Sequence, residues 1–395
     1  VDRARASVGD QAEVCADGAE IVADPDIDVV IELIGGYTIA KDLVLAAIAN
    51  GKHVITANKA MLAVHGNRIF AEASRQGVMV AFEAAVAGGV PIIKAIREGL
   101  AANRIERVAG IINGTTNFVL SEMRDKGQGF EEALAQAQAL GYAEADPTFD
   151  VEGVDAAHKI TLLASLAFGV PIQFDKCYVE GISGLRNIDV RYAGQLGYRI
   201  KLLGLATRRE ALEGLPGGIE LRVHPTLVPE HRLLANVEGA MNAVWVRGDA
   251  VGDTIYYGQG AGAEPTASAV IADLVDVARM ITVDPGNRVP YLAFQPDALA
   301  DVPILSIDEA RSASYLRIRV IDQPGVLARI TGHLADAGIS IDAALQKLAE
   351  DEDQTDVILL THVSDESRIL SAIEAIESMP TVLGAVVRIR REELD

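Results

Sequence analysis

Cysteine is nearly absent: 395 residues contain two, Cys15 and Cys177, far apart. No disulfide framework and no Cys-x-x-Cys metal motif is readable, so a reducing cytoplasm is the expected compartment. Aromatic residues make up only 5% of the chain, with a single tryptophan, so its cores must be built from Ala, Val, Leu and Ile. No apolar run reaches the roughly 18 residues of a membrane-spanning helix. No secretory leader is visible either, although the chain begins at Val1 rather than Met. Basic residues are scarce beside acidic ones, 35 against 56, for a net charge of −21. That balance excludes non-specific binding to nucleic acid or an anionic membrane. What is plentiful is apolar: 50% of residues are hydrophobic, enough for two or three domains with separate cores.

The first third alternates short apolar runs with helical patterns. DVVIELI at 28–34 reads as a buried parallel strand ending in Gly35-Gly36. A helix from about Ile39 to Ala49 closes at Asn50-Gly51, HVITA at 53–57 is the next strand, a helix covers 60–76, and GVMVAFEAAV at 77–86 reads as a third strand. This order means a doubly wound α/β domain, whose ligands bind at the carboxyl ends of the strands. After about residue 113 helices lead to an acidic segment, and strand-like runs follow at 198–206, 218–228 and 242–248. That segregation suggests an α+β domain. A Gly-rich strand-to-helix turn at 256–270 and a proline-rich stretch at 281–312 come next. The chain from Tyr315 onward reads βαββαβ, with ISIDAALQK at 339–347 as its second strand, a ferredoxin-like order.

The segment GYAEADPTFDVEGVDAAHK at 141–159 carries the most chemistry. On a helix starting near Val151, Asp155 and Lys159 lie one turn apart on one face, which Leu162, Leu163 and Leu166 continue. A lysine among leucines must shed its charge or be held by a carboxylate. Spacing alone favours the plainer reading, an ordinary surface pair behind an N-cap at Asp150. Lys59, in TANKAML, falls at a strand's carboxyl end, where it could meet a cofactor or a substrate oxygen, or point to water. Asn113, Gly114 and Thr115 cap a helix, and a free helix N-terminus also binds carboxylates. His158 sits about 100° around the helix from Lys159 and reads as a bystander.

Four strings in order, TANKAML, FEAAVAGGVPIIK, GIINGTTNF and GYAEADPTFDVEGVDAAHK, together resemble homoserine dehydrogenase, and GQGAGAEPTASAV extends the match. The C-terminal part, with IDQPGVLARI and AGISID, resembles an ACT domain. The resemblance implies a three-part chain. An incomplete Rossmann-type doubly wound NAD(P)-binding domain covers 1–112 and is completed by 264–290. An α+β substrate and dimerisation domain covers 113–263, a linker 291–313, and a ferredoxin-like ACT domain 314–395. The implied activity is NAD- or NADP-dependent interconversion of L-homoserine and L-aspartate 4-semialdehyde. Lys159 and Lys59 would flank the reacting oxygen, with Lys159 as acid/base or as the group ordering a relay water. Glu144, Asp155 and Asp150 would hold the substrate ammonium, and Gly114, Thr115 and Tyr142 would line the substrate. Gly35, Gly36, Thr56, Lys59 and Gly260 fall near the cofactor. The carbonyls of Glu83, Val86, Gly88 and Val90 correspond to a monovalent-cation site, usually Na+. Asp322, Gly325 and Val326 open the loop where such a module holds an amino acid, here expected to be threonine, and the chain is expected to form a homodimer or homotetramer.

One feature departs from the family. The opening βαβ unit with its GxGxxG turn, which seats a pyrophosphate on a helix N-terminus, is missing, and Val1-Asp2-Arg3 reads as the tail of the second strand. The chain is therefore expected to be an N-terminally truncated form of a longer enzyme that binds dinucleotide poorly. A catalytically impaired amino-acid sensor is the alternative, opposed by the retained Glu144, Asp155 and Lys159. A different dehydrogenase would leave those acids without a purpose, and the ACT module could serve dimerisation only.

Overall fold

The computed structural model describes residues 1–211, 216–346 and 353–394. Lys347, read from sequence as the end of a strand, lies outside them. The chain divides into two compact units. The first comprises Val1–Glu106, Thr161–Asp175 and Val246–Asp301, and the second Arg107–Ile160, Lys176–Trp245 and Val302–Asp395.

The first unit contains a parallel sheet of order β1-β2-β3, formed by Val29–Glu32, His53–Thr56 and Val80–Ala81. The crossovers are α3 (Ile39–Ala49) and α4 (Lys59–Gln76). All four residues of β2 are buried, the polar His53 and Thr56 included, as expected of a central parallel strand covered on both faces. The third strand is much shorter than the 77–86 pattern suggests, because the Glu83 carboxylate accepts the backbone amides of Ile93 (2.8 Å) and Lys94 (2.9 Å). That pair of bonds draws the chain out of the sheet into a 3₁₀ turn at Glu83–Ala85 and the short α5 (Ile92–Lys94). Strand β9 (Gly252–Gln259) leads into α11 (Ala263–Met280), whose Val270 and Val277 pack with Ile55, Met79 and Ala81. At the start, α1 (Asp2–Val8) and α2 (Gly18–Ala23) precede the sheet. The strand tail expected at Val1–Arg3 is thus a helix, with none of its residues buried. The Ala and Arg of DRARASV are strong helix formers, and local propensity decides where no packing does.

The second unit is built on one mixed sheet. Its strands run β11 (Ile341–Gln346), β12 (Gln354–Thr361), β10 (Arg311–Ile321), β14 (Val387–Arg391), β7 (Gly218–Pro229), β6 (Tyr198–Arg209), β4 (Ile105–Ile111) and β8 (Met241–Gly248). The short β5 (Tyr178–Val179) pairs with β7, and β13 (Ser364–Asp365) with β10. The C-terminal βαββαβ module, with α12 (Val326–Asp336) and α13 (Glu366–Glu377), has its own core around Leu316, Ile318, Ile330, Leu334 and Ile369. It is nevertheless continuous with the central sheet, because β14 runs parallel to β7 with Arg390 opposite Thr226. Buried ion pairs reinforce that join. Arg317 grips Asp189 on α10 (Asn187–Gln195) at 2.6 Å, and Arg222 grips Glu392 at 2.9 Å. The helices that matter for the site are α6 (Gly114–Lys126), α7 (Phe130–Ala139), α8 (Thr148–Val151) and α9 (Val154–Phe168). The helix expected from Val151 is split: Gly153, at φ +81°, ends α8 and lets α9 start afresh. Among the described residues no helix is long and apolar enough to cross a membrane.

Candidate active site

Asp155 and Lys159 face the same way on α9. Lys159 Nζ lies 2.7 Å from Asp155 Oδ2, with side chains only 12% and 6% exposed. A solvated surface pair is thereby ruled out. Lys159 also donates to the Ile112 carbonyl at 2.7 Å. An ammonium has three N–H donors, so two are spent on the protein and one is left for a ligand oxygen. His158, buried one position before Lys159, sets its ring at a tilt 5.3 Å from that of Phe149.

The start of α6 faces the same carboxylates. Asn113 is the N-cap, its Oδ1 accepting the Thr116 amide at 2.8 Å. Its Nδ2 donates to both Asp150 Oδ1 (2.8 Å) and Asp155 Oδ2 (2.9 Å). The Thr115 hydroxyl reaches Asp150 Oδ2 (3.1 Å) and the Tyr142 carbonyl (2.6 Å). Burial pushes the Asp150 carboxyl up, the charge of Asp155 pushes it further, and Asn113, Thr115 and Lys159 pull it down. Two acids that would repel are thus held together by one amide, one hydroxyl and one ammonium. Gly114 is needed as glycine, since a Cβ there would sit 2.8 Å from the Ala240 carbonyl. Tyr142 packs its ring on Phe118 at 5.0 Å yet stays 47% exposed. Glu144 stands exposed on the loop after α7, with its carbonyl held by Gln138 at 3.0 Å. The structure therefore gathers Lys159, Asp155, Asp150, Gly114 and Thr115, sets Tyr142 beside them through its carbonyl, and leaves the Glu144 side chain outside this hydrogen-bond network. From sequence Asn113 is only a helix cap; its bridging of two acids depends on a contact more than 35 residues away, which no local pattern carries.

In the first unit, Lys59 opens α4 immediately after the Asn58 cap. Asn58 Nδ2 donates to the Gly36 carbonyl at 2.9 Å. Gly35 and Gly36 have φ of +80° and +77°, with open space where a Cβ would lie. Their turn is ordered by a residue the sequence reading passed over. Buried Glu32 accepts the amides of Ile34 (2.7 Å) and Gly35 (3.0 Å) and the Thr56 hydroxyl (2.6 Å). An acid inside the apolar run DVVIELI at a strand end was the available signal. Gly35, Gly36, Thr56 and Lys59 thus sit at the carboxyl ends of β1 and β2, where an α/β sheet binds ligands.

After the 3₁₀ turn at Glu83–Ala85 the chain to Val90 is irregular, with Ala87 and Gly88 at φ +55° and +47°. A Cβ on Gly88 would meet the Gly260 carbonyl at 2.5 Å, and Gly89 N–H donates to the Gln259 carbonyl at 3.0 Å. Close packing therefore requires glycine at position 88, with the Gly260 carbonyl lying against this loop. The Glu83 carboxyl is pushed by burial up to about 7, against the two amides it accepts, with Asp273 adding to the rise. In the C-terminal module a cavity of about 310 Å³ is lined by Asp322, Gln323, Gly325, Val326, Gln346 and Val357. Gly325, at φ +88°, turns the chain into α12 there.

Comparisons with known proteins agree in one direction. A family model described as "Homoserine dehydrogenase" matches residues 91–275, "Homoserine dehydrogenase, NAD binding domain" matches 2–83, and "ACT domain" matches 314–381. A homoserine dehydrogenase of Pseudomonas aeruginosa is 64% identical over 383 residues, covering 97% of this chain and 87% of that protein. The crystal structure of a homoserine dehydrogenase from Thiobacillus denitrificans matches with a TM-score of 0.94 at 61% identity, covering 100% of this chain and 88% of that one. A hyperthermophilic archaeal homoserine dehydrogenase in complex with NADPH matches with a TM-score of 0.59 at 26% identity, covering 70% and 81%.

Proposed function

The chain belongs to the homoserine dehydrogenase family, NAD(P)-dependent oxidoreductases that interconvert L-homoserine and L-aspartate 4-semialdehyde, and we propose that its buried lysine–carboxylate cluster is the substrate site. The observation that carries this reading is Lys159, fixed by Asp155 and the Ile112 carbonyl with one donor to spare. Asp150 and Asp155 hold the substrate ammonium, with Glu144 as a third acid on the adjoining loop. Gly114, Thr115 and Tyr142 line the substrate, and the α6 N-terminus favours its carboxylate. In homoserine oxidation the neutral Lys159 amine, its two N–H groups on Asp155 and the Ile112 carbonyl, takes the alcohol proton on its lone pair, directly or through a water it orders, and the ammonium so formed stabilises the developing alkoxide; in the reverse direction the ammonium returns that proton through its third N–H. Lys59 assists as the second lysine. The nicotinamide nucleotide supplies the hydride acceptor when bound. The open left-handed turn at Gly35-Gly36, braced by Glu32 and Asn58, fits the close approach of such a group.

If the acids bind an ammonium, 4-hydroxybutanoate, which keeps the alcohol and carboxylate but lacks the amine, should be a substrate worse by on the order of 10²-fold in kcat/KM. Comparable rates for the two would remove that role. The loop at Asp322, Gly325 and Val326 is the proposed threonine site. Threonine should inhibit the enzyme, and Asp322→Ala should relieve the inhibition; no effect of threonine on activity and no binding would leave the module a structural one. The carbonyls of Glu83, Val86, Gly88 and Val90 are the proposed holders of Na+. Replacing Na+ with a bulky organic cation should lower activity, and unchanged activity would refute that assignment.

A further inference from the structure

Lys201 lies in the middle of β6, 1% exposed, between buried Ile200 and Leu202. A lysine in an apolar strand costs stability unless its donors are met, and nothing in the reaction described so far calls for one at this position. Its ammonium donates to the Asn117 side-chain oxygen (3.0 Å) and to the Val237 carbonyl (2.6 Å), with Glu238 3.9 Å away. Burial pushes Lys201 down to about 8, against Glu238, so at neutral pH it is largely an ammonium, which only donates. The Asn117 amide must therefore present its oxygen to Lys201. Its nitrogen is then forced toward the carbonyls of Val237 (3.1 Å), Gly239 (2.8 Å) and Met241 (3.3 Å).

Asn117 is one of four α6 residues on a single face, at helical spacing. Gly114 abuts the Ala240 carbonyl. Ser121 accepts the Gly239 amide (3.2 Å) and lies 3.2 Å from Glu238, while its hydroxyl also has the Asn117 carbonyl of its own helix at 2.8 Å. Arg124 pairs with Glu238 at 2.7 Å. The whole face is bound to the turn at 237–241. The start of the same helix carries Asn113 and Thr115, which hold Asp150 and Asp155.

We infer that Lys201 and Asn117 are positioning residues for homoserine. By fixing the amide of Asn117 they lock α6 against the 237–241 turn and so set the rotation and height of the helix end that meets the substrate. The inference rests on the α6 N-terminus being part of the substrate site. Lys159 variants test that reading by themselves, because neither Lys201 nor Asn117 contacts Lys159, Asp150 or Asp155 in the described hydrogen bonds.

The test is steady-state kinetics of Lys201→Met, Asn117→Leu and the double variant in the full chain, with thermal unfolding alongside. Methionine fills the volume without the charge. The expected result for Lys201→Met is a homoserine KM raised roughly tenfold or more, a nucleotide KM within about twofold of wild type, and a modestly lower melting temperature, since the Asn117 oxygen and the Val237 carbonyl lose their donor. The double variant should be no worse than the worse single one, because the two side chains act as one unit. Ser121→Ala, a milder cut on the same face, should move the homoserine KM a few-fold in the same direction; it carries the test should Lys201→Met fail to fold. An unchanged homoserine KM in a folded variant overturns the inference. So does an equal rise in both KM values, which would mark Lys201 as a purely structural group.

Discussion

Lys159→Ala should lower kcat for homoserine oxidation by on the order of 10³-fold, with the protein still folded. The side chain is buried and spends two of its three donors on Asp155 and the Ile112 carbonyl. Those bonds fix its nitrogen, so the third N–H has one direction, and the transition state gains from a donor that needs no reorganisation. Lys159→Arg should not restore the rate. A guanidinium keeps its proton across the working pH range, and its fork does not match a carboxylate and a carbonyl held at these positions. Asp155 keeps a donor from Asn113 in either variant, so loss of fold is not expected to obscure the result. A kcat within tenfold of wild type in folded Lys159→Ala would remove Lys159 from the chemistry.

Asp155→Leu should destabilise the protein by about 3–5 kcal/mol, because it strands a buried ammonium. The double variant Asp155→Leu/Lys159→Met should be markedly more stable than Asp155→Leu alone, although neither variant would turn over homoserine at a useful rate. The sign follows from the position of the pair. An exposed i,i+4 pair contributes a few tenths of a kcal/mol, whereas here the side chains are 12% and 6% exposed. Denaturant unfolding of the three proteins measures the difference directly. Equal stability of Asp155→Leu and wild type would mean that the pair is effectively solvated.

The same pair shows how far sequence carries this fold. Spacing puts Asp155 and Lys159 on one face, but it does not distinguish a wet face from a buried one; only the packing of α6 and the carbonyl of Ile112 do. The family strings supplied the missing context and located Asp150, Gly114 and Thr115 with them. They did not supply Asn113 as the bridge between two acids, Glu32 as the organiser of the Gly35-Gly36 turn, or Lys201 as the brace on Asn117, because each of those roles is a long-range contact. Local patterns misplaced element ends for similar reasons. The 77–86 strand is cut short by amide bonds to Glu83, and the helix expected from Val151 is broken by one left-handed glycine. The βαββαβ order of the C-terminal module was plain in its alternation of patterns. Its fusion to the central sheet through β14 and β7 was not, since parallel pairing between strands so distant in sequence leaves no local mark.

Single-turnover hydride transfer, followed by nicotinamide absorbance with homoserine at saturation and checked against homoserine affinity by calorimetry, tests the role of Lys159 most directly. Lys159→Ala should bind homoserine within a few-fold of wild type, because Asp150, Asp155 and the α6 N-terminus remain, while the transfer step slows by on the order of 10³-fold. A variant that transfers hydride at the wild-type rate once saturated, having lost only affinity, would contradict it.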